Sequence, residues 1–183
     1  MPLSPDEAAN TLRDISQTES RSAKAYGYHM MSPHLFLWGL IWMAEYSGFY
    51  FDPRLSWLFS ALSVAGVVGS FVIGWRMKDG RSDAYGWRYG ATIFAAFLFT
   101  AAIFAIFHPT SDKQFGAFFP LLVALLYILM GIWSSALRMG VIGVVLGVVT
   151  VVGYFYFPAT FMLWMAIAGG GALILGGLWM RSV

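Results

Sequence analysis

The chain contains no cysteine, and only 11% of its 183 residues are charged. Without cysteine, disulfides, thiolate metal sites and a cysteine nucleophile are excluded. The low charge excludes a soluble globular enzyme, because a soluble domain carries about 25% charged residues to cover its surface. A disordered chain is also excluded, since disorder goes with low hydrophobicity and 59% of this chain is hydrophobic. The net charge of +2 is too small to suggest binding to nucleic acid. The composition therefore predicts a multi-pass membrane protein.

Long charge-free runs predict an all-α bundle of six transmembrane helices. A helix needs about 20 mostly apolar residues to cross roughly 30 Å of hydrocarbon. The runs are continuous and do not alternate apolar with polar residues, which favours helices over a barrel. Pro158 divides the last run, which is about twice the length that one span needs. The predicted spans are 34–51, 54–76, 88–108, 115–137, 139–157 and 158–180.

The basic residues predict the orientation of this bundle. Nine of them fall at one face, namely Arg13, Arg21, Lys24, Arg76, Lys78, Arg81, Arg88, Arg138 and Arg181. The opposite face holds only Arg54 and Lys113. Loops rich in Lys and Arg stay on the cytoplasmic side. We therefore expect both termini to be cytoplasmic, in a bacterial inner (plasma) membrane.

Residues 1–33 are predicted to form a cytoplasmic segment before a transmembrane domain of residues 34–183. The motif Ser4-Pro5-Asp6-Glu7 is typical of a helix start. A thin apolar stripe follows at helical spacing: Ala8, Leu12 and Ile15. This pattern indicates a short amphipathic helix lying against the membrane or the bundle. The alternative is a frayed polar tail, because Ser and Thr are frequent over residues 11–22 and weaken helix propensity. Ser32-Pro33 repeats the start motif just before the first span.

The six spans read as three tandem helical hairpins with a period of about 50 residues. Each odd helix ends in aromatic residues and proline, at Gly48–Pro53, Ile106–Pro109 and Gly153–Pro158. Each even helix ends in glycine and tryptophan with a basic residue close behind, as in Gly74-Trp75-Arg76. Aromatic belts and basic ends also occur at any pair of membrane interfaces, which is the alternative explanation. The layout of the six spans resembles that of small six-span proteins linked to acid resistance, but no residue motif is shared and no function is carried over.

Small residues recur at four-residue spacing in several spans. Where they face a neighbouring helix, backbones approach closely and gain van der Waals contact. The predicted packing positions are Gly66, Gly69, Gly143, Gly147, Gly170 and Gly176. The triple glycine at residues 169–171 has a second interpretation, as a point of local unwinding at a binding site.

Glu45 is the one ionisable side chain well inside a predicted span. It shares a helical face with Trp38 and Trp42. A carboxyl group at membrane depth usually faces the protein interior and finds a partner. As a functional residue, Glu45 would form an intramembrane proton or cation site. As a structural residue, it would accept a hydrogen bond from Arg54 or Tyr127.

No other group suggests chemistry as clearly. His29 and His34 flank two methionines, and these residue types suit copper or haem iron, but their spacing matches no metal motif. They are therefore weak metal candidates, and we expect no cofactor. The chain has no nucleotide-binding fingerprint and no metalloprotease motif.

Three functions remain open from the sequence. The first is a non-enzymatic membrane protein with a structural, accessory or stress-related role, acting through helix packing and association. Its partners would be the lipid bilayer and a second copy or another membrane protein. The second is a small oligomeric transporter or channel that uses Glu45 as its proton or cation site. The third is a membrane enzyme, or a haem or pigment carrier, that uses its histidines.

Overall fold

The computed structural model describes residues 5–77, 83–108 and 110–182, and this part of the chain is all-helical. Within these described residues six helices follow one another: α1 Pro5–Phe51, α2 Ser56–Arg76, α3 Asp83–Phe107, α4 Asp112–Trp133, α5 Leu137–Tyr156 and α6 Phe161–Arg181. Four of them are long and apolar enough to cross a membrane, namely α2 with its preceding turn, α4, α5 and α6. The prediction of an all-helical membrane protein is confirmed for the fold class and for these four helices. Ser4, Lys78, Arg81 and Pro109, which entered the sequence predictions, lie outside the described residues.

Two side-chain caps set the starts of the 3-10 turn before α2 and of α4. The carboxylate of Asp52 accepts a hydrogen bond from the backbone N–H of Arg54 at 2.9 Å, at the head of a 3-10 turn over Pro53–Leu55. The hydroxyl of Ser111 accepts from the N–H of Gln114 at 3.3 Å. Both caps satisfy donors that the first turn of a helix leaves unpaired.

α1 is a single helix where the sequence predicts two. It has 47 residues and continues through Pro33, so it is roughly 70 Å long at 1.5 Å per residue. A proline inside a helix removes one backbone hydrogen bond, and packing compensates for that loss here. Just before the proline, the buried hydroxyl of Ser32 donates to the carbonyl of Gly177 in α6 at 2.8 Å.

The first part of α1 does not pack on the described part of the bundle. Leu12 is 67% exposed and Ile15 is 51% exposed. The segment is helical, as the amphipathic pattern predicts, but Leu12 and Ile15 of its apolar stripe stay largely exposed.

α1 lies at the centre of the packing. It packs along α6 and along α2, while α4 packs along α5, and α5 also contacts α6. The middle of the bundle is filled by fully buried apolar side chains, among them Leu35, Leu146, Phe161, Met165 and Leu173. Phe104 of α3 packs against Phe115 and Phe118 of α4, with ring centroids 5.2 and 5.0 Å apart.

Contacts between helix ends define the two ends of the bundle. Arg138, at the start of α5, donates to the carbonyl of Trp179 at the end of α6 and lies over the ring of Tyr28 in α1. We call this the basic end. Lys113, at the start of α4, donates to the carbonyl of Tyr154 near the end of α5 at 3.3 Å. We call this the opposite end.

Candidate functional site

Glu45 is buried between α1 and α2. Its side chain is only 2% exposed. One carboxyl oxygen, Oε1, accepts a hydrogen bond from the hydroxyl of Ser63 at 2.8 Å. The other oxygen, Oε2, is buried and has no hydrogen-bond partner among the described residues. Half of this carboxyl group is therefore unsatisfied.

A stripe of small residues on α2 makes room for the site. Ser63, Gly66 and Ser70 recur at spacings of three and four residues, which places them on one helical face. A side chain at Gly66 would collide with α1, since a Cβ there would lie 2.7 Å from Ile41 Cδ1 and 3.0 Å from Trp38 Cη2. The indole N–H of Trp38 donates to Ser70 Oγ at 3.1 Å. The two serines thus hold α2 against α1 at two levels.

Aromatic residues close the site on its α4 side. The hydroxyl of Tyr46 donates to the carbonyl of Gly116 in α4 at 2.5 Å. Trp42 packs edge-on against Tyr46, with ring centroids 6.2 Å apart. Phe59 of α2 also meets Tyr46 edge-on, at 6.5 Å. The carboxyl group therefore lies in a largely apolar environment, where an unpaired polar atom is costly.

Ser63 is the partner that sequence reasoning missed. The structural interpretation of Glu45 predicts a hydrogen bond from Arg54 or Tyr127, and the donor is Ser63 instead. Arg54 is exposed in the turn before α2, and Tyr127 is half-buried on α4, packed against the core. The spacing of Ser63, Gly66 and Ser70 is a signal that could have identified the facing side of α2.

The glycines predicted to lie at helix contacts differ in how closely the neighbouring helix approaches them. A Cβ at Gly143 would lie 2.7 Å from the carbonyl oxygen of Ala124, and one at Gly170 would lie 2.9 Å from that of Gly39. Cβ atoms at Gly69 and Gly176 would meet only side-chain atoms, of Leu37 at 2.9 Å and Ile142 at 2.8 Å. Gly147 is looser, with the nearest atom at 3.6 Å.

Sequence reasoning did not single out two further close approaches. Gly39 of α1 faces Gly170 of α6 directly. Gly131 of α4 faces the backbone of Gly140 in α5, where a Cβ would lie 2.5 Å from the nitrogen. In both pairs one glycine supplies the space for the other.

The triple glycine of α6 adjoins a change in helix type. Residues Met165–Gly169 form a π-helical segment, and α-helix resumes at Gly170. Gly169 and Gly170 are both buried, Gly170 against Gly39 of α1 and Gly169 against Met165 of its own helix, whereas a Cβ at Gly171 would meet nothing within 4 Å. The helix is therefore wider here without losing its helical form, and two of the three glycines serve packing contacts.

The histidines do not assemble a metal site in the part of the chain that the structure describes. His29 is exposed and His34 is half-buried on α1. Within that part, no group of three or more His, Cys, Asp or Glu side chains could hold a metal ion.

The chemistry available at Glu45 is that of a single carboxyl group with one hydroxyl donor. Calcium takes six to eight oxygen ligands and magnesium about six, far more than this pair offers. A proton needs only the carboxyl group itself, so the geometry suits a proton better than a hard cation. Comparisons of the chain with protein-family models, with curated proteins and with solved structures gave no match.

Proposed function

We propose that the chain crosses the bacterial inner membrane six times, as three tandem hairpins, with both termini in the cytoplasm. Residues 34–51 of α1 and the apolar stretch Phe94–Phe107 of α3 would add two spans to the four long apolar helices. Basic residues support the orientation. Arg76, Arg138 and Arg181 belong to the basic end, and the positive-inside rule assigns that end to the cytoplasm.

We further propose a non-enzymatic structural or accessory role, exercised through helix packing and association with a second copy or another membrane protein. The observation that carries it is the filled interior. Large apolar side chains such as Leu146 and Met165 occupy the centre of the described bundle with no exposure. A conduction path needs a polar lining or water-exposed backbone, and this packing favours a compact body that works through its outer surface.

Helix α2 is the best candidate for that outer surface. Of its residues only Gly66 is buried. Val64, Val68, Phe71 and Trp75 are all exposed and fall on one face by their spacing.

Because the chain contains no cysteine, single cysteines can map this contact without background. We expect Val68→Cys to form oxidative cross-links in native membranes, to itself or to another membrane protein. Val148→Cys on α5 is the matched control, since both valines are 56% exposed. The proposal fails if neither Val64→Cys nor Val68→Cys cross-links to any protein and native mass spectrometry from lipid finds only monomers.

A second candidate function is favoured by the unpaired oxygen of Glu45. A buried carboxyl oxygen without a hydrogen-bond partner suits a proton carrier. The alternative function is therefore a small oligomeric transporter or channel with Glu45 as its proton site. In proteoliposomes this function predicts a flux driven by a pH gradient that Glu45→Gln abolishes. No flux, or a flux that Glu45→Gln leaves intact, removes the transport role.

A further inference from the structure

Arg138 is fixed at the basic end by contacts that leave part of its guanidinium unused. Its Nη1 donates to the carbonyl of Trp179 and to Ser182 Oγ, the latter at 3.1 Å. The guanidinium carbon lies 5.7 Å from the ring centroid of Tyr28 and 5.2 Å from that of Trp179. These rings hold the plane of the guanidinium by cation–π attraction.

Arg181 is held beside it on the same face of α1. Its Nε donates to Ser32 Oγ at 3.1 Å, and its guanidinium carbon lies 4.8 Å from the ring centroid of Phe36. Tyr28, Ser32 and Phe36 follow one another at four-residue spacing, so they form one stripe along α1. The two guanidinium groups therefore lie along this stripe beside the last turn of α6, that of Arg138 over Tyr28 and that of Arg181 at Ser32 and Phe36.

The positive charge of this pair is not neutralised by the described residues. The acceptors of both arginines are a carbonyl and two hydroxyls, none of which is ionised. A guanidinium has five N–H donors on three nitrogens. Nε and Nη2 of Arg138, and both Nη atoms of Arg181, have no hydrogen-bond partner in the described part of the chain. Two oriented sets of donors remain for an external anion.

We propose that Arg138 and Arg181 bind a phosphate-bearing anion, such as the head group of an anionic phospholipid. Planar guanidinium forks match the oxygens of a phosphate. Basic pockets between transmembrane helices on the cytoplasmic side are suited to anionic head groups. The neighbouring Trp179 is a residue type that sits at head-group level. The hydrogen bond from Arg138 to the carbonyl of Trp179 also offsets the partial negative charge at the C-terminal end of α6. This bond uses only one nitrogen of Arg138, so the other nitrogens remain free to bind an anion.

Native mass spectrometry of the whole protein in detergent tests this directly. The protein is mixed with equal amounts of phosphatidylglycerol and phosphatidylcholine, which both carry a phosphate but differ in net charge. We expect retained phosphatidylglycerol to exceed phosphatidylcholine, by about fivefold for each arginine engaged. The variant Arg138→Ala/Arg181→Ala should lose that preference.

Arg76→Ala is the matched control, because Arg76 belongs to the same end but ends α2 and has no hydrogen bond or ring contact among the described residues that would orient it. It should leave the preference unchanged. Displacement of the lipid by inorganic phosphate would identify phosphate itself as the ligand, and retention in its presence would identify the lipid head group. Equal retention of both lipids by the unmodified protein, with no inorganic phosphate bound, would overturn the proposal without depending on any variant. A preference that survives the double substitution would overturn it as well.

Discussion

At the scale of single residues, Glu45 is the group of the described bundle with a buried side-chain oxygen that lacks a hydrogen-bond partner. A buried acceptor left without its donor costs about 1–3 kcal/mol. The bond from Ser63 satisfies only one of its two oxygens. The pair of residues is therefore the place where a small change should have a large effect.

Removing the hydroxyl of Ser63 tests this pair. We expect Ser63→Ala to lower the free energy of unfolding by about 1–3 kcal/mol, because it leaves a buried acceptor without its donor. Thermal unfolding in detergent gives the measurement. Ser60→Ala is the matched control, since Ser60 is an exposed serine on the same helix.

Glu45→Gln completes a double-mutant cycle with Ser63→Ala. The amide oxygen keeps an acceptor for Ser63, so this variant alone should be tolerated. Ser63→Ala should then cost about the same in either background, with a coupling below about 0.5 kcal/mol. If Ser63→Ala costs no more than Ser60→Ala, the bond does not contribute to stability.

At the scale of helices, backbone contact decides which glycines are irreplaceable. Glycine lets two helices approach until main-chain atoms touch, and lipid supplies no hydrophobic force to compensate for a lost contact. Gly143 meets the backbone of Ala124 and Ile128, whereas Gly147 meets only the Cβ of Ala124 at ordinary distance. Both glycines fit the same sequence spacing, so only the structure separates them.

Alanine at these two positions should therefore have unequal effects. We expect Gly143→Ala to destabilise the protein by about 1–3 kcal/mol, the usual cost of overpacking a filled contact. Gly147→Ala should change stability by less than about 0.5 kcal/mol. The melting temperatures of the two variants in detergent provide the comparison. Equal melting temperatures would contradict the close contact of α4 and α5.

The continuity of α1 makes a prediction at Pro33. If the helix runs through this residue, alanine restores the missing backbone donor and removes the ring clash. Pro33→Ala should then raise the free energy of unfolding, by up to about 3 kcal/mol. Thermal unfolding and helix content by circular dichroism report both effects. A loss of stability with no gain of helix would argue for two separate helices joined at Ser32-Pro33.

Sequence reasoning predicted the helices better than their contacts. The predicted span 139–157 became α5 at Leu137–Tyr156, because a proline and a basic residue bound a continuous apolar run. The rotation of each helix is harder to predict. Spans that are apolar nearly all round carry no clear amphipathic face, so the partner of Glu45 and the pairing of Gly39 with Gly170 did not follow from periodicity.

The prediction that the helix breaks at Pro33 was wrong, because contacts between helices could not be predicted from the sequence. Proline weakens a helix locally, but α6 packs alongside and its carbonyl at Gly177 binds Ser32. Tertiary packing outweighed the local preference, as it commonly does in helices.

At the scale of the whole molecule, everything depends on a bilayer-embedded bundle whose basic end faces the cytoplasm. The proposed lipid site requires that orientation, and the proton site and the association through α2 require the bilayer. Charge supports it, since Arg138 and Arg181 lie at one end while Lys113 lies at the other.

Paired reporter fusions in bacterial cells test this placement most directly. Green fluorescent protein fluoresces only inside the cell, and alkaline phosphatase is active only outside it. For reporters fused after Val183, we expect fluorescence without phosphatase activity. For reporters fused after Lys113, we expect phosphatase activity without fluorescence. An active phosphatase after Val183, or a protein that stays dispersed in buffer without detergent, would contradict the account.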